Sequence, residues 1–210
     1  MLDLGHAAPP EELAAVASRM SEMLRHRGPD DGGVWVDEAG GVAIANRRLA
    51  VLDLSPAGHQ PMRSRSDRYV AVFNGEIYNH AALRAEVEAL GPPLRGHSDT
   101  ETLLAAIDEW GLEATLARCN GMFALGVWDR QARCLQLARD RLGEKPLYYG
   151  WAGSSVVFGS ELKPLRAHPR FEPRIDRSSL ALYLRYTFVP SPRSIFERVW
   201  KLPPGTVLTI

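Results

Sequence analysis

Two helical segments lie back to back in the middle of a chain whose other apolar runs are mostly short and strand-like, and this order constrains the fold most. Residues 79–90 carry Leu83, Val87 and Leu90 at helical spacing behind a candidate cap, Asn79. Ser98-Asp-Thr-Glu101 forms a capping-box pattern that opens a second helix, with Leu103, Leu104, Ile107 and Trp110 on its inner face. Before the pair come strand-like runs at 34–36, 42–46, 49–54 and 69–73. After it come 122–128, 134–138, 147–149 and 156–158, with Asp129-Arg130 marking a hairpin turn. Alternating βαβ units would place a helix between successive strands. Strands grouped on either side of two adjacent helices predict a layered α+β domain instead.

The flanks fit that outline. Pro9-Pro10-Glu-Glu opens a helix over 10–26, because proline suits a first turn and acids complement the positive end of the helix dipole. Leu13, Val16, Ala17, Met20, Met23 and Leu24 give it one buried face, and Arg25-His-Arg-Gly-Pro-Asp30 stops it. Further helices are expected near 161–167 and 178–186, and a last strand at 206–210. The Gly-Gly pairs at 32–33 and 40–41 read as hairpin glycines.

At 210 residues the chain is long enough for one well-buried domain. Lys+Arg and Asp+Glu both number 25, so charge gives no reason to expect nucleic acid or an anionic membrane as partner. The first ten residues have neither a basic region nor an apolar one, and no run approaches membrane-spanning length. The cytoplasm is the expected compartment. Two cysteines, Cys119 and Cys134, make no disulfide framework, and no spacing suggests a metal site. Both read as buried small residues.

The sharpest local feature is Phe73-Asn-Gly-Glu-Ile-Tyr-Asn79. A strand ending at Asn74-Gly75 can aim a side-chain amide and an unhindered backbone N–H at one point, as a tetrahedral oxyanion requires. From the dipeptide alone, a tight turn is the better reading. Arg48 could clasp a carboxylate through two parallel hydrogen bonds, although a single arginine is more often an ordinary surface residue. Asp99 sits in a first helical turn, where an acid is stabilised by the dipole whether or not it binds anything. Together, an arginine and a carboxylate near an oxyanion hole suit the α-carboxylate and α-ammonium of an amino acid.

The ordered motifs resemble the class II glutamine amidotransferase (Ntn-type) domain of glutamine-dependent asparagine synthetases. They are Arg25-His-Arg-Gly-Pro-Asp30, Arg48-Leu-Ala-Val-Leu-Asp53, Gly58-His-Gln-Pro-Met62, Asn74-Gly-Glu-Ile-Tyr-Asn79 and Gly96-His-Ser-Asp-Thr-Glu101, followed by Gly121-Met-Phe-Ala124, Ala138-Arg-Asp-Arg-Leu-Gly143, Lys145-Pro-Leu-Tyr-Tyr149, Ser160-Glu-Leu-Lys163 and Lys201-Leu-Pro-Pro-Gly205. They are collinear and cover nearly the whole chain, 1–210. The resemblance implies an αββα four-layer sandwich of two antiparallel sheets flanked by helices. It implies an oxyanion hole at Asn74 and Gly75, with Arg48 on the glutamine α-carboxylate and Glu76 and Asp99 facing the α-ammonium. Leu49, Val51 and Leu52 would line the substrate, and Arg27 would brace the pocket.

In that family the nucleophile is a cysteine at the mature N-terminus, within a Met-Cys-Gly-Ile-type opening. This chain begins Met1-Leu-Asp-Leu and resembles the family a few residues after that cysteine. The opening strand and the ATP-dependent synthetase domain are therefore expected to be missing. The first expectation is a fragment of an enzyme that hydrolyses glutamine and passes ammonia to ATP-activated aspartate, inactive as a glutaminase alone. A non-catalytic module that binds glutamine or another subunit is the second, and an Ntn-type hydrolase of another amide the third. The glutaminase step implies no cofactor and no metal, while ATP and magnesium belong to the absent domain. Expected partners are glutamine and a C-terminal synthetase domain or separate synthetase subunit, with a homodimer compatible; nucleic acid and membrane are not expected.

Overall fold

Proline at the first helical position and Glu11 and Glu12 behind it start α1 (Pro10–Glu22), which buries Leu13, Val16, Ala17 and Met20. The computed structural model describes residues 1–5 and 8–210. Helical spacing continues to residue 26, but α1 ends at Glu22. Beyond it, the N–H groups of Leu24, Arg25 and Arg27 reach carbonyls three residues back, the tighter turn common at helix ends. Gly28 follows because a Cβ there would lie 2.3 Å from the Arg47 carbonyl carbon.

Among the described residues the strands form two antiparallel sheets. The first contains β1 (Leu2–Asp3), β2 (Asp31–Asp37), β3 (Val42–Arg48), β8 (Tyr148–Ala152), β9 (Ser155–Gly159) and β10 (Val199–Lys201), in the spatial order β10-β8-β9-β1-β3-β2. The second contains β4 (Met62–Arg63), β5 (Tyr69–Ile77), β6 (Gly121–Asp129), β7 (Cys134–Arg139) and β11 (Val207–Thr209), ordered β11-β7-β6-β5-β4.

Alternation along the strands sorts side chains into three apolar layers. Leu2, Val42, Ile44, Val72, Trp128 and Leu137 fill the space between the sheets. On the outer face of the first sheet, Met1, Ala43 and Val157 pack against α1 and α5 (Leu162–Arg166). On the outer face of the second, Phe73, Ile77 and Leu125 meet α2 (His80–Leu90), α3 (Asp99–Trp110) and α4 (Leu112–Arg118). A final helix, α6 (Arg177–Tyr186), is capped by the Asp176 carboxylate. The domain is an αββα four-layer sandwich, the α+β fold that the motifs imply.

Several local expectations need correction. β5 does not end at Asn74-Gly75; it runs on to Ile77, with Gly75 opposite Phe123. A Cβ on Gly75 would lie 2.2 Å from the Met122 carbonyl oxygen, so the glycine serves close strand approach and not a turn. Residues 49–54 form a loop, because side chains hold their backbone: the Ala50 N–H donates to the Asp30 carboxylate at 2.9 Å. Gly40 and Gly41 do turn the β2–β3 hairpin, whereas Gly32 and Gly33 lie inside β2. There a Cβ on Gly33 would lie 2.5 Å from the Gln60 carbonyl oxygen. Cys119 is buried, but Cys134 is only half-buried, near the β6–β7 turn.

Candidate functional site

Every second N–H of β5 beyond the short strand β4 points away from β6, and side chains satisfy two of them. The Phe73 N–H donates to Gln60 Oε1 at 2.7 Å and the Ile77 N–H to Asp99 Oδ2 at 3.0 Å. Gly75 lies between them with the same orientation. Its β6 neighbour, Phe123, turns its own N–H and carbonyl toward Asp140, on the far side of β6. The Gly75 N–H therefore faces the open edge of the sheet between two donors that are already used. Asn74, one residue earlier, projects toward the space between the sheets, where its Nδ2 donates weakly to Ser160 Oγ at 3.4 Å. An amide and a backbone N–H are thus presented from adjacent residues of one strand, the two kinds of donor that a tetrahedral oxyanion requires.

Arg48 closes β3 and reaches over the following loop. Its guanidinium donates to the carbonyls of Asp53 and Ser55, the latter at 3.4 Å. Gly58 leaves room for the guanidinium at the loop's return, since a Cβ there would lie 2.1 Å from one of its nitrogens and would push the Arg48 side chain aside. Leu49, Val51 and Leu52 remain exposed on this loop while lining the cavity mouth.

Asp99 is buried at the first turn of α3. Burial raises its carboxyl above the usual range against the lowering effect of the Ile77 N–H, and the negative charge of Glu76 adds to the rise. Such a pair of acids is relieved by a bound cation. Arg27 donates to Glu161 Oε1 at 3.2 Å, and His26 contacts the same oxygen at 3.1 Å. This ties the turn after α1 to the segment that carries Ser160.

These residues share one cavity of about 520 Å³ between the ends of β3, β5 and β9, and Arg27, Arg48, Leu49, Val51, Leu52, Asn74, Gly75, Glu76 and Asp99 all line it. Neither cysteine does. Cys119 lies in the core beneath α3, where burial pushes its thiol up to about 11. Among the described residues, no cluster of His, Cys, Asp or Glu could hold a metal ion, and no helix is long and apolar enough to cross a membrane.

Two supporting residues carried no role in the sequence reading. Gln60 acts as a one-residue substitute for an edge strand by accepting from Phe73 while its Nε2 donates to Thr100 Oγ1 at 3.4 Å. Asp53 joins the Arg48 loop to the start of α3, accepting from the Ser55 N–H at 2.8 Å and the His97 N–H at 2.7 Å. Its bonds with Ser55, then His97, hold its carboxyl down at about 2. The Gly58-His-Gln-Pro-Met62 motif marks Gln60, but its contact is 13 residues away in sequence and no periodicity reveals it.

The glutamine amidotransferase domain family matches residues 4–210. The glutamine-hydrolysing asparagine synthetase 3 of Bacillus subtilis strain 168 is 41% identical over 194 residues, covering 91% of this chain and 31% of the relative. Glutamine-hydrolysing asparagine synthetase B of Escherichia coli K12 is 38% identical over 155 residues, covering 73% of this chain and 27% of the relative. The chain thus spans less than a third of the length of each of these two relatives. The fold is shared with two solved structures. Glutamine phosphoribosylpyrophosphate amidotransferase from B. subtilis, complexed with ADP and GMP, has a TM-score of 0.62 at 21% identity, covering 73% of this chain and 40% of its own. A structure described as the allosteric regulatory enzyme of purine biosynthesis has a TM-score of 0.67 at 18% identity, covering 97% and 45%.

Proposed function

Because the chain belongs to the glutamine amidotransferase domain family, we propose that its cavity holds glutamine and polarises the side-chain amide for hydrolysis to glutamate and ammonia. The observation that carries this reading is the Gly75 N–H, left toward the cavity between two satisfied donors and beside the Asn74 amide. Arg48 takes the glutamine α-carboxylate, which replaces loop carbonyls as the partner of part of the guanidinium. Glu76 and Asp99 take the α-ammonium, and Leu49, Val51 and Leu52 cover the substrate.

A cysteine thiolate supplied from outside these 210 residues, attacking the carboxamide carbon, pushes the carbonyl electron pair onto oxygen, and Asn74 Nδ2–H and the Gly75 N–H donate hydrogen bonds to the resulting oxyanion. Collapse expels ammonia after proton transfer to the leaving nitrogen, and water then cleaves the thioester to glutamate. The relatives named as asparagine synthetases support a destination for the ammonia. It passes to aspartate activated with ATP and magnesium on a C-terminal synthetase domain or subunit. A second reading, glutamine holding without hydrolysis, is favoured for the 210 residues alone, since Cys119 and Cys134 both lie off the cavity.

Titration calorimetry of the 210-residue chain with glutamine tests the pocket. Binding is expected, with Arg48→Ala weakening it at least about tenfold; an affinity that Arg48→Ala leaves unchanged removes Arg48 from the site. In a chain extended so that cysteine is its first residue, Asn74→Ala should lower turnover about a hundredfold with affinity nearly kept. Unchanged turnover would mean the oxyanion assignment is wrong.

A further inference from the structure

Alternation along β3 sends Val42 and Ile44 between the two sheets and Ala43 and Ala45 toward α1, so Asn46 projects between the sheets as well. On β5 the same layer takes Val72 and, two residues later, Asn74. Asn46 and Asn74 therefore line the cavity from facing sheets, one on each wall.

Three amide side chains line this space, and they differ in what is left to pair. Gln60 is engaged at both ends, its Oε1 accepting from the Phe73 N–H at 2.7 Å and its Nε2 donating to Thr100 Oγ1 at 3.4 Å. Asn74 Nδ2 lies 3.4 Å from Ser160 Oγ, a weak bond that a ligand oxygen can replace. Asn46 Oδ1 is buried and has no hydrogen-bond partner among the described residues. The other buried side-chain atom in that condition, His168 Nε2, lies off the cavity. Buried acceptors in native proteins are nearly always paired, so an unpaired one beside a cavity marks where a ligand N–H fits.

The carboxylates of the cavity serve elsewhere. Asp53 accepts from the Ser55 and His97 N–H groups, and Asp99 accepts from Ile77 and faces the α-ammonium position with Glu76. At the other end of the substrate, a primary carboxamide carries one acceptor oxygen and an NH2 donor, whereas a carboxylate carries acceptors alone. Asn74 and Gly75 offer donors from the second sheet, and Asn46 offers an acceptor from the first. A carboxamide between the sheets turns its oxygen to β5 and its nitrogen to β3, and both walls are satisfied. A carboxylate in the same place sets one oxygen against Asn46 Oδ1, two acceptors with no hydrogen between them.

We propose that Asn46 determines specificity at the side-chain end of the substrate: its Oδ1 accepts an N–H of the carboxamide and so selects glutamine over glutamate and over γ-esters of glutamate. The assignment rests on the reading of the cavity as a glutamine site. A site that hydrogen-bonds a substrate N–H rejects an analogue lacking it far more strongly than size alone allows, because its own buried group is then left unpaired. The same contact favours release. Once the amide has become a carboxylate, the acceptor that held the substrate opposes the product.

Calorimetry on the 210-residue chain compares L-glutamine, L-glutamate and L-glutamate γ-methyl ester, which keeps the carbonyl and stays neutral at that end but has no N–H. The parent should bind glutamine at least about tenfold more tightly than either analogue. Asn46→Leu should erase the preference over the ester by weakening glutamine alone, with affinity for the ester nearly unchanged. Asn46→Asp keeps an acceptor oxygen in place and should keep the preference for glutamine over the ester. A general loss of shape in the cavity would instead weaken all three ligands together in Asn46→Leu, and that result overturns the proposal. Glutamine binding without preference over the ester, or a preference that Asn46→Leu retains, also overturns the role of Asn46 and leaves the glutamine pocket standing. Binding of none of the three ligands by the parent overturns the glutamine reading itself, and this role with it.

Discussion

Replacing Gly75 with alanine tests the structural account of the oxyanion donor most directly. The added Cβ would lie 2.2 Å from the Met122 carbonyl oxygen and 2.7 Å from Phe123 Cα, whereas ordinary contact begins near 3.4 Å. Backbone cannot rotate away as a long side chain can, so β5 and β6 must part locally by roughly 1 Å to remove the overlap. Overpacking of this kind costs about 1–3 kcal/mol. The same displacement moves the Gly75 N–H off its aim, and loss of one oxyanion donor costs on the order of 3 kcal/mol in the barrier, or about a hundredfold in rate. Urea denaturation should show a lower midpoint with an unchanged slope. Turnover measured on the cysteine-first chain should fall far more than glutamine affinity does. Gly5→Ala is the control: its Cβ meets its nearest neighbour at 3.5 Å, so stability should stay within about 0.5 kcal/mol. If Gly75→Ala unfolds at the parental urea concentration and keeps full turnover, the close-approach argument and the donor assignment both fail.

The supporting residues give further expectations. Gln60→Leu leaves the buried Phe73 N–H without its acceptor and should lower stability by about 1–3 kcal/mol in the same urea assay; a neutral result would mean another group satisfies that N–H. Asp99 has a folded carboxyl raised by burial, so its ionised form opposes folding at neutral pH and the folded state holds the proton more tightly. Asp99→Asn should therefore be more stable than the parent at pH 7 yet bind glutamine more weakly. Parental glutamine affinity should also decline as pH falls through that raised value. Equal affinities for parent and Asp99→Asn across pH 4–8, by calorimetry, would rule out contact with the α-ammonium. Asp53 shifts the other way, to about 2, so its contribution is present above the unfolded carboxylate value and lost as pH falls from about 4 toward 2. Asp53→Asn should abolish that part of the acid unfolding profile and expose the loop after Arg48 to proteolysis, and an unaltered profile would show that Asp53 does not anchor the loop.

Local chemistry wrote much of this protein into its sequence. Ser98 caps α3 as expected, its hydroxyl accepting from the Glu101 N–H at 3.1 Å, although the Glu101 carboxylate accepts from the Arg95 and Gly96 N–H groups and not from Ser98. Pro10 with its acids starts α1 where expected. Those signals act within one helical turn, so they can be read without knowing the fold. The ordered motifs singled out Arg48, Asn74, Gly75, Glu76 and Asp99, and the fold brings these five to one cavity. What misled were features whose meaning depends on a distant neighbour. Asn74-Gly75 reads as a turn until Met122 is known to lie against it. Residues 49–54 read as a strand until Asp30 and Arg48 are seen to claim their backbone groups. Tertiary packing alone decided that Gln60 and Asp99 would silence the donors on either side of Gly75, because those bonds join residues 13 and 22 positions apart on different elements. The sequence determines which groups exist; only the fold determines which of them remain unpaired among the described residues, and the Gly75 N–H, at the open edge of β5, is one of these.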